Sequence, residues 1–199
     1  MTSSQNVTSL LRQAAGGDAD AFNEAFGLVY AELRGLAHAQ LRRESEGHTL
    51  NTGALVHEAY LKLGEGVSGE VRDRSHFLAI AATAMRRILV DHARRIHAEK
   101  RGAAAHPVSL DVLDATLLDQ PDAMLLDLNE ALDRLSALDR RQAQVVECRF
   151  FGGFTEEETA DALSIGLRTV KRDWAKARSW LYRELHPDID PKVQLEDGS

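Results

Sequence analysis

Near the C-terminal end four basic residues, Arg168, Lys171, Arg172 and Lys176, follow one another at steps of three, one and four. At 100° per residue, Arg168, Lys171 and Arg172 share one helix side with Ala175 and Ser179, and Lys176 lies on its flank. Guanidinium and ammonium groups gathered in this way do no covalent chemistry. They donate hydrogen bonds to phosphates and base edges, and a small residue such as Ala175 among them lets the helix come close. The other side carries Val170, Trp174, Ala177 and Leu181, spaced 4, 3 and 4, as a stripe expected to be buried.

The residues just before it supply a partner helix. Thr155 and Glu158 make a T-x-x-E capping box, and three acids in the first turn suit the positive end of the helix dipole. Ala160 and Leu163 are its expected buried side, and Ser164-Ile165-Gly166 breaks the chain before the basic helix. Phe154 to Leu185 therefore predicts a helix-turn-helix whose second helix enters the DNA major groove. A lone basic amphipathic helix is more often a solvated surface; the capped partner and short turn favour DNA.

A second concentration of charge lies in the helix expected from about Ser75 to Ala98. Phe77, Ile80, Ala81, Ala84, Met85 and Ile88 form a broad apolar face. Thr83, Arg86, Arg87, Arg94 and His97 fall on another arc, with Val90 inside it. A basic stripe with an apolar point fits a surface that follows phosphates while touching bases. The C-terminal dipole accounts for Arg94 and Arg95, but not for Arg86 and Arg87 in mid-helix.

The formal net charge of −7 hides this distribution. Residues 72–101 carry eight Lys/Arg against three Asp/Glu, a balance of +5, and residues 164–183 carry six against one, also +5. Residues 102–139 have Arg134 against eight acids, or −7, and residues 184–199 have Lys192 against five, or −4. The local sign, not the overall one, decides the partner. The acidic segments are expected either to cover the basic faces in the free protein or simply to stay extended and soluble.

The elements that position these charges are all helical. One long helix is expected from Asp18 to about Arg43, with Phe22, Phe26, Val29, Leu33, Leu36 and Leu41 apolar, and another from Thr52 to Leu63 with Leu55, Ala59 and Leu63 inward. Residues 64–74 form a loop with three glycines. The expected fold is all-α: a helical domain over 1–100, a flexible acidic linker over 101–127, a second helical domain over 128–185 and an acidic tail over 186–199. Within the second domain a short helix spans 128–138, Asp139 caps the next over 140–151, and Gly152-Gly153 ends it.

Several function classes fall away. The lone Cys148, among Val145, Val146 and Phe150, excludes an intrachain disulfide and a multi-cysteine zinc site, and reads as a buried structural thiol. The chain has no H-E-x-x-H, P-loop, G-x-S-x-G or Gly-rich dinucleotide motif, and His92 and His97, five apart, do not share a helix face. No catalytic residue, metal or cofactor is expected. With no run of 18 apolar residues and no signal-peptide layout, the expectation is a cytoplasmic protein without membrane insertion.

Three stretches together, HTLNTGALVHEAYLKL (48–63), RDRSHFLAIAATAMRRILVDHARRIHAEKRG (72–102) and LDRRQAQVVECRFFGGFTEEETADALSIGLRTVKRDWAKARSWLYREL (138–185), cover about half the chain. In that order they resemble bacterial RNA polymerase sigma factors of the extracytoplasmic-function (ECF) type, which keep regions 2 and 4 of the sigma-70 family. The resemblance implies core RNA polymerase and promoter DNA as partners and leaves an anti-sigma factor open. It makes His57, Glu58, Leu61 and Lys62 of a region 2.2-like helix polymerase contacts. Arg72, Arg74, Thr83, Arg86, Arg87, Val90 and Arg94 become contacts to a melted −10 element, and Arg168, Thr169, Lys171, Arg172 and Lys176 face the −35 element. The linker would thread towards the active-site cleft and RNA exit channel. The chain departs from the pattern in having Ser164 where the turn usually has glycine, and Gly166-Leu167 where Ser or Pro usually opens the recognition helix. Phe77 is the one aromatic within 64–101, and periodicity buries it. The alternative is a helix-turn-helix regulator that is no polymerase subunit, which the second basic helix argues against.

Overall fold

The computed structural model describes residues 3–41, 50–64, 71–103 and 121–187. Most of the acidic linker and the acidic tail, with the roles expected of them, lie outside the described residues. Among those described, every regular element is helical. They are α1 (Ser3–Ala15), α2 (Ala19–Leu28), α3 (Tyr30–Leu41), α4 (Thr52–Gly64), α5 (Arg74–Ala103), α6 (Pro121–Leu138), α7 (Arg140–Val146), a π-helical turn (Glu147–Phe151), α8 (Glu156–Leu163) and α9 (Leu167–Leu185).

Most helices begin where a side chain replaces a missing backbone acceptor. Asp18 accepts from the Ala21 amide at 3.0 Å, Asn51 from Ala54 at 2.9 Å and Asp73 from His76 at 2.8 Å. Asp139 accepts from Arg141 and Gln142 at 3.0 and 3.1 Å, and these bonds, the one from the Gln142 amide foremost, hold its carboxyl below the usual range. The capping box forms as read: Glu158 N donates to Thr155 Oγ1 at 3.1 Å and Thr155 N to the Glu158 carboxylate at 2.8 Å. Thr155→Ala should lower stability by about 1 kcal/mol, measured as a lower urea midpoint at unchanged m-value.

Three expectations need correcting. The single helix from Asp18 is two, because Val29 leaves helical geometry at φ −106°, ψ 10°, two residues after Gly27, a poor helix former. The helix expected at 128 begins at Pro121, whose fixed φ and missing N–H suit a first helical position. In α8 the buried residues are Thr159 and Ala162, with Ala160 and Leu163 half-buried. A threonine is tolerated inside because its hydroxyl donates to the Thr155 carbonyl at 2.7 Å.

Helices α1 to α5 enclose one apolar core, with Leu11, Leu33, Leu55, Phe77, Met85 and Ile88 all but inaccessible. A smaller core forms between α6, α7, the π-turn and α9 from Leu132, Leu135, Val146, Phe151, Ala177 and Leu181. The two halves also touch. Cys148, Phe154 and Ala162 join the larger core, so the C-terminal helices lie against α5. No helix among the described residues is long and apolar enough to cross a membrane.

Candidate nucleic-acid interface

The two basic faces meet different fates. On α9, Arg168, Lys171, Arg172 and Lys176 are exposed and Thr169 is half-buried, while Val170, Ala177 and Leu181 are buried beneath them. Trp174 of the expected stripe is half-buried, its ring lying 5.5 Å from the Arg149 guanidinium and 5.8 Å from that of Arg178. The exposed face is not all free charge: Lys171 Nζ lies 3.5 Å from Glu156 of α8. Arg172 Nε donates to Asp173 at 3.1 Å. Asp173, 1% exposed, also accepts from Arg141 Nε of α7 at 2.6 Å.

The turn before α9 ends α8 with Ser164 in the left-handed region, φ 53°, where glycine has no Cβ penalty. Gly166 then caps α9 without a side-chain bond. The helix survives because α8, α7 and α6 hold it by packing rather than by its cap.

On α5 the arc named for −10 contacts is split. Arg87 and Arg94 are exposed, Arg94 lying 3.9 Å from Asp91. Arg74 is paired with Glu32 of α3. Val90 and Arg86 are each 3% exposed. Arg86 is closed in by the other half: its guanidinium donates to Asn129 of α6 and, at 2.8 Å, to Glu147 of the π-turn, and lies 5.6 Å from the Phe151 ring. Thr83 donates to the same Glu147 carboxylate at 3.0 Å. Arg72 donates to the Ser164 hydroxyl and the Ala162 carbonyl. The Arg86 guanidinium is thus enclosed beside a carboxylate rather than left as an unpaired buried charge.

The sequence could not show that the π-turn aims Glu147 at α5. A π-turn adds one residue to the ring closed by each hydrogen bond, here Gly152 N to Glu147 O at 2.9 Å, and so turns the next side chains away from α-helical register. Between the halves a crevice of ≈ 580 Å³ remains, lined by Lys62, His76, Arg87, Arg140, Asp133 and Glu147 among others. Burial, and next the Arg72 cation, lower the pKa of His76, whose Nδ1 accepts from the Arg72 amide at 3.3 Å.

The α4 residues named for polymerase present an open surface. His57 and Leu61 are exposed and Glu58 is half-buried, while Lys62 lies 3.3 Å from Asp91 of α5. Buried Leu55, Val56, Ala59 and Leu63 fix this orientation from below.

Comparison with known proteins bears on what these faces do. A family model described as "ECF sigma factor" matches residues 4–187. The chain is 27% identical over 173 residues to the ECF RNA polymerase sigma factor SigK of Mycobacterium ulcerans, covering 84% of this chain and 87% of that one. It is 29% identical over 174 residues to the SigK proteins of Mycobacterium bovis and Mycobacterium tuberculosis, with the same coverage. Among solved structures, the sigma factor RpoE of Bartonella quintana, crystallised with the anti-sigma factor NepR, is 22% identical at a TM-score of 0.36, covering 84% of this chain and 98% of that one.

Proposed function

The chain belongs to the ECF sigma factor family, and from that premise we infer that it binds core RNA polymerase and directs promoter-specific transcription initiation. The family is one of transcription-initiation factors rather than catalysts, and the chain would act in the cytoplasm, beside polymerase and chromosome. The observation that carries the reading is the pair of separate basic helix faces, on α5 and α9, within a match spanning nearly the whole chain.

Each face takes one task. Arg168, Thr169, Lys171, Arg172 and Lys176 read the −35 duplex from the major groove. Arg72, Arg74, Thr83, Arg86, Arg87, Val90 and Arg94 meet the −10 element as its strands part, where cations track the backbone and unstacked bases need a pocket. His57, Glu58, Leu61 and Lys62 dock on polymerase. Because Arg72, Thr83 and Arg86 are engaged by the C-terminal half, the −10 task requires the two halves to part, and core polymerase is the partner that would hold them apart.

Run-off transcription with core polymerase tests this. Added protein should produce discrete transcripts from a subset of promoters, and mapping their starts gives the two elements. Failure to associate with core, together with unaided binding to duplex DNA, would instead favour a regulator that is no polymerase subunit.

A further inference from the structure

Asp173 is the buried acid of a helix otherwise rich in Lys and Arg, only 1% exposed. A buried carboxylate is costly unless cations and hydrogen bonds offset it. Here the offset comes from two directions: Arg141 Nε donates to one oxygen at 2.6 Å and Arg172 Nε to the other at 3.1 Å. The Asp139 carboxylate fixes the backbone of Arg141 by accepting from its amide. Both guanidinium groups stay near the surface, with side chains 46% and 55% exposed.

The geometry is one-sided. Each guanidinium spends its Nε on the shared carboxylate, and neither Nη pair donates to another group among the described residues. With Nε bound to the buried acid, the Nη groups of two half-exposed guanidiniums remain as donors. A staple between α7 and α9 would need only Arg141; the second arginine comes from the outward face of α9. Paired guanidinium forks match the two non-bridging oxygens of a phosphodiester.

We propose that Arg141 and Arg172, aligned on the buried Asp173, form a phosphate clamp that grips the DNA backbone at the edge of the groove entered by α9. The proposal rests on the reading of α9 as the −35 helix, moves Arg172 within it from the bases to the backbone, and extends it to α7, with Asp173 as a positioning residue that never touches DNA. The clamp carries affinity and register but no sequence information, since every phosphate looks alike.

The test uses holoenzyme made with the full chain, on a promoter fragment mapped by run-off transcription and on a random-sequence duplex, over a range of salt. Arg141→Ala should weaken both complexes by the same factor, several-fold, and lower the salt slope by about 0.9 for the lost contact. Asp173→Asn separates positioning from charge. It makes the domain less negative, so a pure charge effect predicts tighter DNA binding, whereas misaligned forks predict weaker binding. Arg141→Lys keeps the charge but not the fork, and should fall between wild type and Arg141→Ala. Unchanged affinity and slope for Arg141→Ala, or equal or tighter binding by folded Asp173→Asn, overturns the clamp. Should Asp173→Asn not fold, Arg141→Lys, which keeps a cation beside the buried carboxylate, decides, and wild-type affinity there overturns the clamp. A wild-type holoenzyme without promoter-dependent transcripts would overturn the sigma reading itself, a result distinct from an active wild type indifferent to Arg141.

Discussion

Replacing Glu147 by alanine should destabilise the packing of the C-terminal helices on α5 by about 3 kcal/mol, the low end of what removing one partner of a buried ion pair costs. Arg86 is 3% exposed and would keep only Asn129 and the Phe151 ring, with its Nε already lacking a partner. Thr83 loses one of its two acceptors and keeps the Ala79 carbonyl at 3.2 Å. The low end is expected because the halves can part and let water reach Arg86, which caps the cost at the free energy of opening. Cys148 gives the readout. It sits in the core shared by both halves, and burial first, then the Glu147 charge, push its pKa up to about 12. At pH 8 its thiolate is therefore scarce and enclosed, and labelling by a small thiol reagent should be slow. Glu147→Ala should raise the labelling rate by tenfold or more, since about 1.4 kcal/mol corresponds to each factor of ten. Arg86→Met added to Glu147→Ala should recover much of the loss, because no charge is then stranded. Equal labelling of Glu147→Ala and wild type would show that the pair does not hold the halves together.

The second large effect is expected at Gly152. Its φ of −78° suits any residue, so the reason for glycine is space. A Cβ there would lie 2.6 Å from the Cys148 carbonyl oxygen and 3.1 Å from the Phe154 ring. That oxygen cannot retreat freely, since it accepts from the Phe154 amide at 3.1 Å at the exit from the π-turn. Gly152→Ala should therefore cost about 2 to 3 kcal/mol, as overpacking of a close-packed site does. In a chain of this size that is a fall of roughly 4 to 12 °C in melting temperature. Gly153→Ala is the control: its φ is +65° but nothing lies within 4 Å of the added carbon, so about 1 kcal/mol of backbone strain is all it should show. A smaller effect at 152 than at 153 would mean that the π-turn yields easily.

These residues also show where the sequence was legible. The capping box at Thr155, the Asp139 cap, the break at Ser164 and the inward stripe of Val170, Ala177 and Leu181 are local or periodic, and all form. So do the inward positions Leu55, Ala59 and Leu63 of α4. Periodicity fails where a polar residue is buried by a partner distant in the chain. A helical wheel assigns an acid to the outside, yet Asp173 is inside because Arg141, 32 residues earlier, reaches it. It reads Arg86 as a surface cation, yet Glu147, 61 residues on, covers it. The break at Val29 has no proline to announce it.

Ser164 carries one more consequence. A glycine at its positive φ would relieve about 1 to 2 kcal/mol of local strain, so the serine is a locally frustrated choice. What it gains is a hydroxyl that accepts from Arg72 of the other half. Substitution by glycine thus pulls in two directions, firming the turn while loosening the closed arrangement. A chain selected only for the rigidity of its helix-turn-helix would drift towards glycine here; one selected for switching between two arrangements has reason to keep the worse residue.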